Sequence, residues 1–217
     1  MSGHGAAAGP AAVRTRIKIC GVRDVEMALH AARCGADAVG LVRVASSPRF
    51  VDAETALAVA AALPPWVAPV VVHADADAQE ILEGWPHDWI QLHGAEPDID
   101  PMLAGRAVIK ALPANLSDEA ILWWDRHPRV RALLIDAPRP GGGEPFDHGR
   151  LAALRPSLAK PLILAGGLSA STVGEAIHRL RPWAVDVSSA VERSRGCKDP
   201  GLVREFCAAV MAASTSR

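Results

Sequence analysis

Two residues that can transfer protons stand at the ends of apolar segments, about half a chain apart. Cys20 lies at the end of the segment 16–21, and Asp136 ends the segment 132–136. A thiolate can take a proton and a carboxyl group can donate one, so the two together can move a hydrogen along a substrate. Other polar or glycine residues follow apolar segments in the same way: Gln91, His93, Gly166, Gly167, Asp186, Ser188 and Ser189.

The segments that would position these residues alternate between strand-like and helical patterns. Helical patterns, such as the one over 24–34 that Asp24 begins and Gly35 ends, separate most of the strands. The strands are rich in Val, Ile and Leu, which is typical of a parallel sheet buried on both faces. Their ranges are 16–21, 37–44, 67–74, 89–93, 107–112, 132–136, 161–165 and 184–188. Eight such units predict an α/β fold, a single (β/α)8 TIM barrel over 16–217, in preference to a doubly wound open sheet.

In such a barrel the active site lies at the C-terminal ends of the strands, and side chains alternate between the two faces of each strand. Lys18 and Cys20 then point inward on the first strand, while Ile17 and Ile19 face the helices. The same reasoning places further polar side chains inward: Arg43, His73, Gln91, His93, Asp136, Asp186 and Ser188. Because isolated buried charges are costly, we expect these groups to pair with one another or to meet a ligand.

The composition argues against several classes of function. The chain has 217 residues, a net charge of -1 and no long basic run, so nucleic acid is not expected as a partner. Charged residues or Pro interrupt the apolar stretches before they reach the length of a membrane span, so no membrane partner is expected either. Residues 1–15 are rich in Ala, Gly and Pro and are predicted to form a disordered tail. The four cysteines lack C-x-x-C spacing, which favours a reduced, cytoplasmic protein.

Nine short motifs occur in the order typical of one enzyme family. They are KICG (18–21), SPRFV (47–51), QLHG (91–94), LLIDA (133–137), FD (146–147), LAGGL (164–168), VDVSS (185–189), VE (191–192) and GCKD (196–199). With these motifs the chain resembles the phosphoribosylanthranilate isomerase family of tryptophan biosynthesis, from about Ile17 to Phe206. The resemblance implies an Amadori rearrangement of a phosphorylated aminosugar, with no metal and no cofactor. We expect a monomer or a homodimer.

The resemblance also implies roles for individual residues. Cys20 matches the general base of the family, Asp136 its general acid, and Arg49 the arginine that holds the anthranilate carboxylate. His93 and Asp186 match polar residues near the reacting sugar. The loops that match the phosphate-binding loops contribute Gly143, Gly166, Gly167, Ser188 and Ser189.

The residues suit this chemistry on physical grounds as well. An acid at the ring oxygen opens the ribose ring, and the resulting Schiff base acidifies the hydrogen on C2. A thiolate then removes that hydrogen to give an enolamine, which tautomerises to the ketone. A free thiol has a pKa of about 8.5 and needs help to ionise. Lys18 lies two residues before Cys20 on the same face and could give that help.

Several of these residues also have purely structural explanations. Free cysteines are often small buried hydrophobic residues, and Asp136 could be a helix cap. Lys18 and Asp186 could simply neutralise each other. Gln91 is favoured as a satisfied polar residue of the barrel core.

The sequence departs from the family pattern at positions assigned to the pocket walls. Arg43 and His73 replace apolar or aromatic residues, and Ala190 replaces a glycine near the phosphate loop. Three hypotheses follow: the family reaction itself, isomerisation of a different phosphorylated or carboxylated aminosugar that Arg43 and His73 help to bind, and a barrel that binds a sugar phosphate without turnover. If the two basic residues are neutral drift, Arg43 should form a salt bridge inside the barrel mouth.

Overall fold

A computed structural model describes residues 14–136 and 148–215 of the chain. Eight parallel strands pair in chain order, and the last pairs back with the first, so the sheet closes into a barrel. The strands are β1 (Arg16–Cys20), β2 (Ala38–Val42), β3 (Ala68–His73), β4 (Trp89–Leu92), β5 (Ala107–Pro113), β6 (Val130–Asp136), β7 (Leu162–Ala165) and β8 (Ala184–Val187). The predicted (β/α)8 TIM barrel is therefore confirmed, and the open sheet is excluded.

Helices follow seven of the eight strands on the outside of the barrel, and a 3-10 turn, Pro101–Leu103, lies between β4 and β5. The helices are α1 (Val25–Arg33), α2 (Ala53–Ala62), α3 (Ala78–Leu82), α4 (Asp118–Arg126), α5 (His148–Leu154), α6 (Val173–Leu180) and α7 (Pro200–Thr215). Asp24, Asp52 and Asp77 each accept a hydrogen bond from the amide three residues later, at the start of α1, α2 and α3. Such caps satisfy backbone donors that have no partner within the helix, and they fix where each helix begins.

The core has two layers, as side-chain alternation in a barrel requires. Side chains on the outer face of the strands, such as Ile17 and Ile19, pack against the helices in one large cluster. The inner face forms a second cluster within the barrel, made of Val70, Ile109, Ala111, Ala132, Leu134, Ile163, Ala165 and Ala184. The barrel interior is therefore filled below the mouth, and the open space lies at the C-terminal strand ends.

The prediction that Arg43 and His73 point into the barrel is wrong. Val42 pairs with Val72 across β2 and β3, and both pack against Cys20 in one cluster at the top of the barrel. Because successive side chains on a strand take opposite faces, the residues after Val42 and Val72 point outward. The prediction was one residue off along each strand. Because side chains alternate between the two faces, it assigned Arg43 and His73 to the wrong face.

Two segments beyond the barrel strands also pack against the fold. After β8 the chain forms a two-stranded antiparallel hairpin, β9 (Glu192–Ser194) and β10 (Cys197–Lys198), before α7 begins. We call this the β9–β10 hairpin; the sequence analysis did not predict it. At the other end, the last two residues of the predicted tail contact the barrel: Arg14 pairs with Asp37, and the Thr15 amide donates to the Ser214 hydroxyl.

Within the described ranges, no helix combines the length and the apolar character needed to cross a membrane.

Candidate active site

One cavity of about 1400 Å³ opens at the C-terminal ends of the strands. It brings together nine of the predicted site residues: Cys20, Arg49, His93, Asp136, Gly166, Gly167, Asp186, Ser188 and Ser189. Gly143 lies outside the described residues. These nine come from strand ends or from the loops that follow them, which is where barrel enzymes build their active sites.

Cys20 places its thiol at the end of β1, buried at the floor of the cavity. Burial raises the pKa of this thiol. The ammonium groups of Lys18 and Lys198 act in the opposite direction, whereas the Asp186 carboxylate adds to the increase. The help expected from Lys18 is therefore present, but desolvation outweighs it, and the thiol of the free protein is protonated at neutral pH.

Lys18 and Asp186 form an ion pair across β1 and β8. The Lys18 Nζ lies 2.8 Å from Asp186 Oδ1, and both side chains are buried. Burial lowers the pKa of Lys18, but the Asp186 carboxylate, together with Cys20 when its thiol is ionised, outweighs it, so the net pKa is raised and the ammonium persists. The two residues thus neutralise each other, as one hypothesis from the sequence expected, while Asp186 also lines the cavity.

Asp136 and His93 form a pair on the opposite side of the cavity, on β6 and just after β4. His93 Nε2 lies 3.2 Å from Asp136 Oδ2, with 43% and 36% of the two side chains exposed. The Gln91 amide nitrogen lies 3.4 Å from His93 Nδ1. Gln91 is buried, but its carbonyl oxygen has no partner among the described residues, so the prediction of a satisfied core residue is wrong for that atom.

Arg49 reaches the cavity from the loop after β2 and is held by Glu192. Arg49 Nε and Nη2 donate to the two Glu192 carboxylate oxygens at 2.7 and 2.9 Å. Lys198 Nζ donates to the same carboxylate at 2.8 Å, and the Gly196 amide does so at 3.1 Å. Burial raises the pKa of Glu192, but the hydrogen bonds from Arg49 and Lys198 outweigh it and lower the pKa to about 2.

Several charged residues at the site received no role from the sequence: Glu192, its partner Lys198, and the ion-paired Glu96 and Lys110 in the cavity wall. Glu192 and Lys198 belong to motifs quoted for the family resemblance, VE and GCKD, but neither received a role. For these two, the available signal was the occurrence of two charged residues in short motifs just after the last strand.

The hydroxyl and the carbonyl oxygen of Ser188 are already hydrogen-bonded within the protein. Its hydroxyl donates to the Cys20 carbonyl oxygen at 3.0 Å, and Lys198 Nζ donates to the Ser188 carbonyl oxygen at 3.0 Å. The hydroxyl proton is therefore already engaged, which leaves Ser188 less able to donate to a phosphate than the sequence suggested. Ser189 is exposed, begins a short 3-10 turn and lines the cavity.

The Gly166-Gly167 turn after β7 needs glycine at both positions. Both residues have positive φ, 79° and 66°, a region that side chains disfavour. The turn lines the cavity beside Ser189 and Ala190.

Arg43 and His73 do not line the cavity. Arg43 Nη1 donates to the Val51 carbonyl oxygen at 2.9 Å, and the guanidinium lies 5.6 Å from the centre of the Phe50 ring. Burial and the nearby Arg43 charge lower the pKa of His73 to about 4. Across the ranges 14–136 and 148–215 no carboxylate lies within ion-pair distance of Arg43, so the salt bridge expected from neutral drift is absent too.

A closed (β/α)8 barrel whose cavity holds a thiol, a carboxyl group and an arginine defines a barrel enzyme equipped for acid–base chemistry on an anionic substrate. The family model for N-(5'-phosphoribosyl)anthranilate (PRA) isomerase matches residues 17–209. The chain belongs to this family.

Curated relatives and solved structures agree with that assignment. The isomerase of Pseudomonas putida (strain W619) is 45% identical over 203 residues, which cover 90% of this chain and 97% of the relative. That of Marinomonas sp. (strain MWYL1) is 41% identical over 198 residues, covering 88% and 95%. The crystal structure of the Thermotoga maritima enzyme superposes with a TM-score of 0.80 at 33% identity, covering 91% of this chain and 99% of that one.

One further solved family member was crystallised with a ligand. It is described as a complex with reduced 1-(o-carboxyphenylamino)-1-deoxyribulose 5-phosphate. This chain resembles it with a TM-score of 0.79 at 32% identity, with 91% of this chain and 99% of that chain covered.

Proposed function

We propose that the protein isomerises N-(5'-phosphoribosyl)anthranilate to 1-(o-carboxyphenylamino)-1-deoxyribulose 5-phosphate, an Amadori rearrangement in tryptophan biosynthesis. The observation that carries the proposal is that Cys20, Asp136 and Arg49 line one cavity. Membership of the isomerase family supports it, as does the relative that holds a reduced form of the product.

Ring opening is assigned to Asp136. Its carboxyl group donates a proton to the ribose ring oxygen as the bond from that oxygen to C1 breaks, and the nitrogen lone pair forms the Schiff base. His93 lies 3.2 Å from the carboxyl oxygen, so it can orient the group and pass a proton to it. Both side chains are partly exposed, which lets the pair regain its proton from water.

Proton removal from C2 is assigned to Cys20. The thiolate takes the C2 hydrogen, the electron pair neutralises the cationic Schiff base, and the enolamine that forms then tautomerises to the ketone. Because burial raises the pKa of the thiol, the base is the minor, ionised form, which the ammonium groups of Lys18 and Lys198 favour electrostatically.

Substrate binding is assigned to the rest of the cavity. Arg49 presents its guanidinium to the anthranilate carboxylate, a match that charged hydrogen bonds favour. The turn Gly166-Gly167 and the residues Ser188 and Ser189 stand after β7 and β8, where barrel enzymes commonly bind phosphate. Gly143 is proposed for the same role on the family resemblance alone.

The alternative substrate loses two of its three supporting observations. It rested on Arg43, His73 and Ala190; Arg43 and His73 do not line the cavity, whereas Ala190 does. A barrel that binds without turnover would have no use for a thiol and a carboxyl group in one cavity. We further infer a cytoplasmic enzyme from the four free cysteines, and a monomer or homodimer; the Thermotoga maritima relative is described both as a dimer and as generated monomers.

Complementation tests the proposal. The gene should rescue a tryptophan auxotroph that lacks this isomerase, and a Cys20→Ser version expressed at the same level should not. Failure of the unmodified gene to rescue, together with no turnover of phosphoribosylanthranilate by the purified protein, would overturn the proposed function.

A further inference from the structure

The β9–β10 hairpin forms the outer wall of the cavity beside Arg49. Its turn residue Gly196 has φ of 81°, and a Cβ added there would stand 2.3 Å from the Pro48 carbonyl oxygen. The hairpin therefore packs directly on the loop that carries Arg49. Its first residue, Glu192, is the partner of the guanidinium.

Arg49 is fixed at both ends of its side chain. The stem crosses the main chain just after Cys20, since a Cβ added at Gly21 would stand 2.5 Å from Arg49 Cδ. At the other end Glu192 takes the hydrogen bonds of Nε and Nη2, through a side chain that is only 4% exposed. Nη1 has no hydrogen bond to any residue in the described ranges, so both of its N–H groups are left to donate to a ligand.

Charge balance explains why Glu192 does not simply cancel Arg49. Lys198, buried and 2.8 Å from the same carboxylate, supplies a second positive charge. One carboxylate and two cations leave the cluster with a net charge of about +1, which suits one substrate carboxylate. The same Lys198 donates to the Ser188 carbonyl oxygen, and Ser188 donates to the Cys20 carbonyl oxygen, so the cluster is continuous with the strand that bears the thiol.

We propose that Glu192 is a positioning residue: anchored by Lys198, it orients the Arg49 guanidinium so that Nη1 meets the carboxylate on the substrate's aromatic ring. The inference rests on the proposed function and names a group that determines specificity for the anthranilate moiety. Glu192 itself does not need to touch the substrate. Glu192 is therefore expected to lower KM only for substrates that carry the carboxylate.

The test uses Glu192→Asp, which keeps the charge but shortens the side chain by one methylene. Steady-state kinetics are measured on phosphoribosylanthranilate and on N-(5'-phosphoribosyl)aniline, the analogue without the carboxylate, made from aniline and ribose 5-phosphate. We expect KM for the anthranilate substrate to rise by about 10-fold or more, with kcat changed by less than about threefold. KM for the aniline substrate should not change.

Two controls make the outcome specific. Glu205→Asp is the matched variant, because Glu205 is exposed on α7, and it should leave both constants unchanged. In an Arg49→Ala background, Glu192→Asp should add no further effect on KM, since the two residues act as one unit. If Glu192→Asp does not fold, as judged by its thermal unfolding, Glu192→Gln takes its place in every arm.

The results separate the two levels of inference. If Glu192→Asp leaves KM for phosphoribosylanthranilate unchanged, or changes KM equally for both substrates, the positioning role is overturned. The proposed function still holds in that case, provided that the wild-type protein turns over phosphoribosylanthranilate. Additive effects in the double variant overturn it as well. Absence of wild-type turnover on phosphoribosylanthranilate overturns the proposed function, and the positioning role with it.

Discussion

The two sides of the cavity differ in how they hold their proton-transfer groups. On the thiol side, defined as Lys18, Cys20, Asp186, Glu192 and Lys198, every member has a buried or nearly buried side chain and is tied to its neighbours. On the carboxyl side, His93 and Asp136 form one pair in which both side chains are more than one-third exposed. The proposed base is thus set in a desolvated ionic network, whereas the proposed acid stands in contact with water.

This difference assigns distinct physical tasks to the two sides. Charges in a water-excluded network interact strongly and are already oriented, so they stabilise developing charge without reorganisation. The cost is that burial keeps the thiol protonated in the free protein. The partly exposed carboxyl group of Asp136 is in contact with solvent, with which it can exchange a proton during each turnover.

The largest expected effect comes from removing either proton-transfer group. Cys20→Ser and Asp136→Asn should each lower kcat/KM on phosphoribosylanthranilate by about 10²–10⁴-fold, the usual contribution of a general acid or base. Thermal unfolding should be little changed, because both substitutions nearly preserve shape. A variant that retains near-wild-type turnover would remove its residue from the mechanism.

The comparison predicts unequal losses of stability on the two sides. Lys18→Met leaves the Asp186 carboxylate buried without its ion-pair partner, so the free energy of unfolding should fall by about 3–5 kcal/mol. His93→Gln breaks an exposed pair and should cost less than about 1 kcal/mol. Urea unfolding of both variants measures the difference, and equal losses would show that the two sides do not differ in this way.

A smaller, pH-dependent effect is expected outside the cavity, at His73. Burial and Arg43 lower its folded-state pKa to about 4, from an ordinary value of 6.5. Between these values the unfolded chain binds the proton and the folded protein does not, so stability falls as the pH drops from 6.5 towards 4. The loss between pH 7 and pH 5 should be on the order of 1–2 kcal/mol.

His73→Phe removes this proton uptake. Urea unfolding at pH 7 and pH 5 should therefore show a smaller acid loss in the variant than in the wild type. The opposite sign, with the variant losing more stability on acidification, would mean that His73 is protonated in the folded protein.

The smallest effect is expected for Arg43→Phe. Because Arg43 points outward and bonds to a main-chain carbonyl, kcat/KM on phosphoribosylanthranilate should stay within about threefold of wild type. A gain of 10-fold or more would revive the hypothesis of an altered substrate pocket.

Much of the fold, and the location of the proposed acid and base, could be predicted from the sequence. Apolar β-type segments recur eight times, and two of them end in Cys20 and Asp136, so the barrel and these two strand ends are local signals. The face of the sheet that each side chain takes is less well determined by the sequence. A shift of one residue along a strand moves a side chain from the inner to the outer face, and such a shift led to the wrong faces for Arg43 and His73. A polar residue at a strand end therefore indicates where the active site lies more reliably than it indicates which face of the strand its side chain takes.

The ionic network could not be predicted in the same way. Glu192 and Lys198 lie six residues apart, but the β9–β10 hairpin is what brings the Lys198 ammonium to the Glu192 carboxylate. The other partner of that carboxylate, Arg49, is distant in sequence. The pKa of Cys20 also depends on burial, which spacing does not reveal. Lys18 alone suggested a more acidic thiol, whereas the folded protein makes it less acidic.

The most direct test of the central claim is the kcat/KM of the unmodified protein on phosphoribosylanthranilate, with the product identified by mass spectrometry and NMR. The account predicts efficient formation of the carboxyphenylamino-deoxyribulose phosphate, with kcat/KM of about 10⁴ M⁻¹s⁻¹ or more, as for ordinary enzymes. Absence of that product under conditions in which a characterised family member forms it would contradict the account.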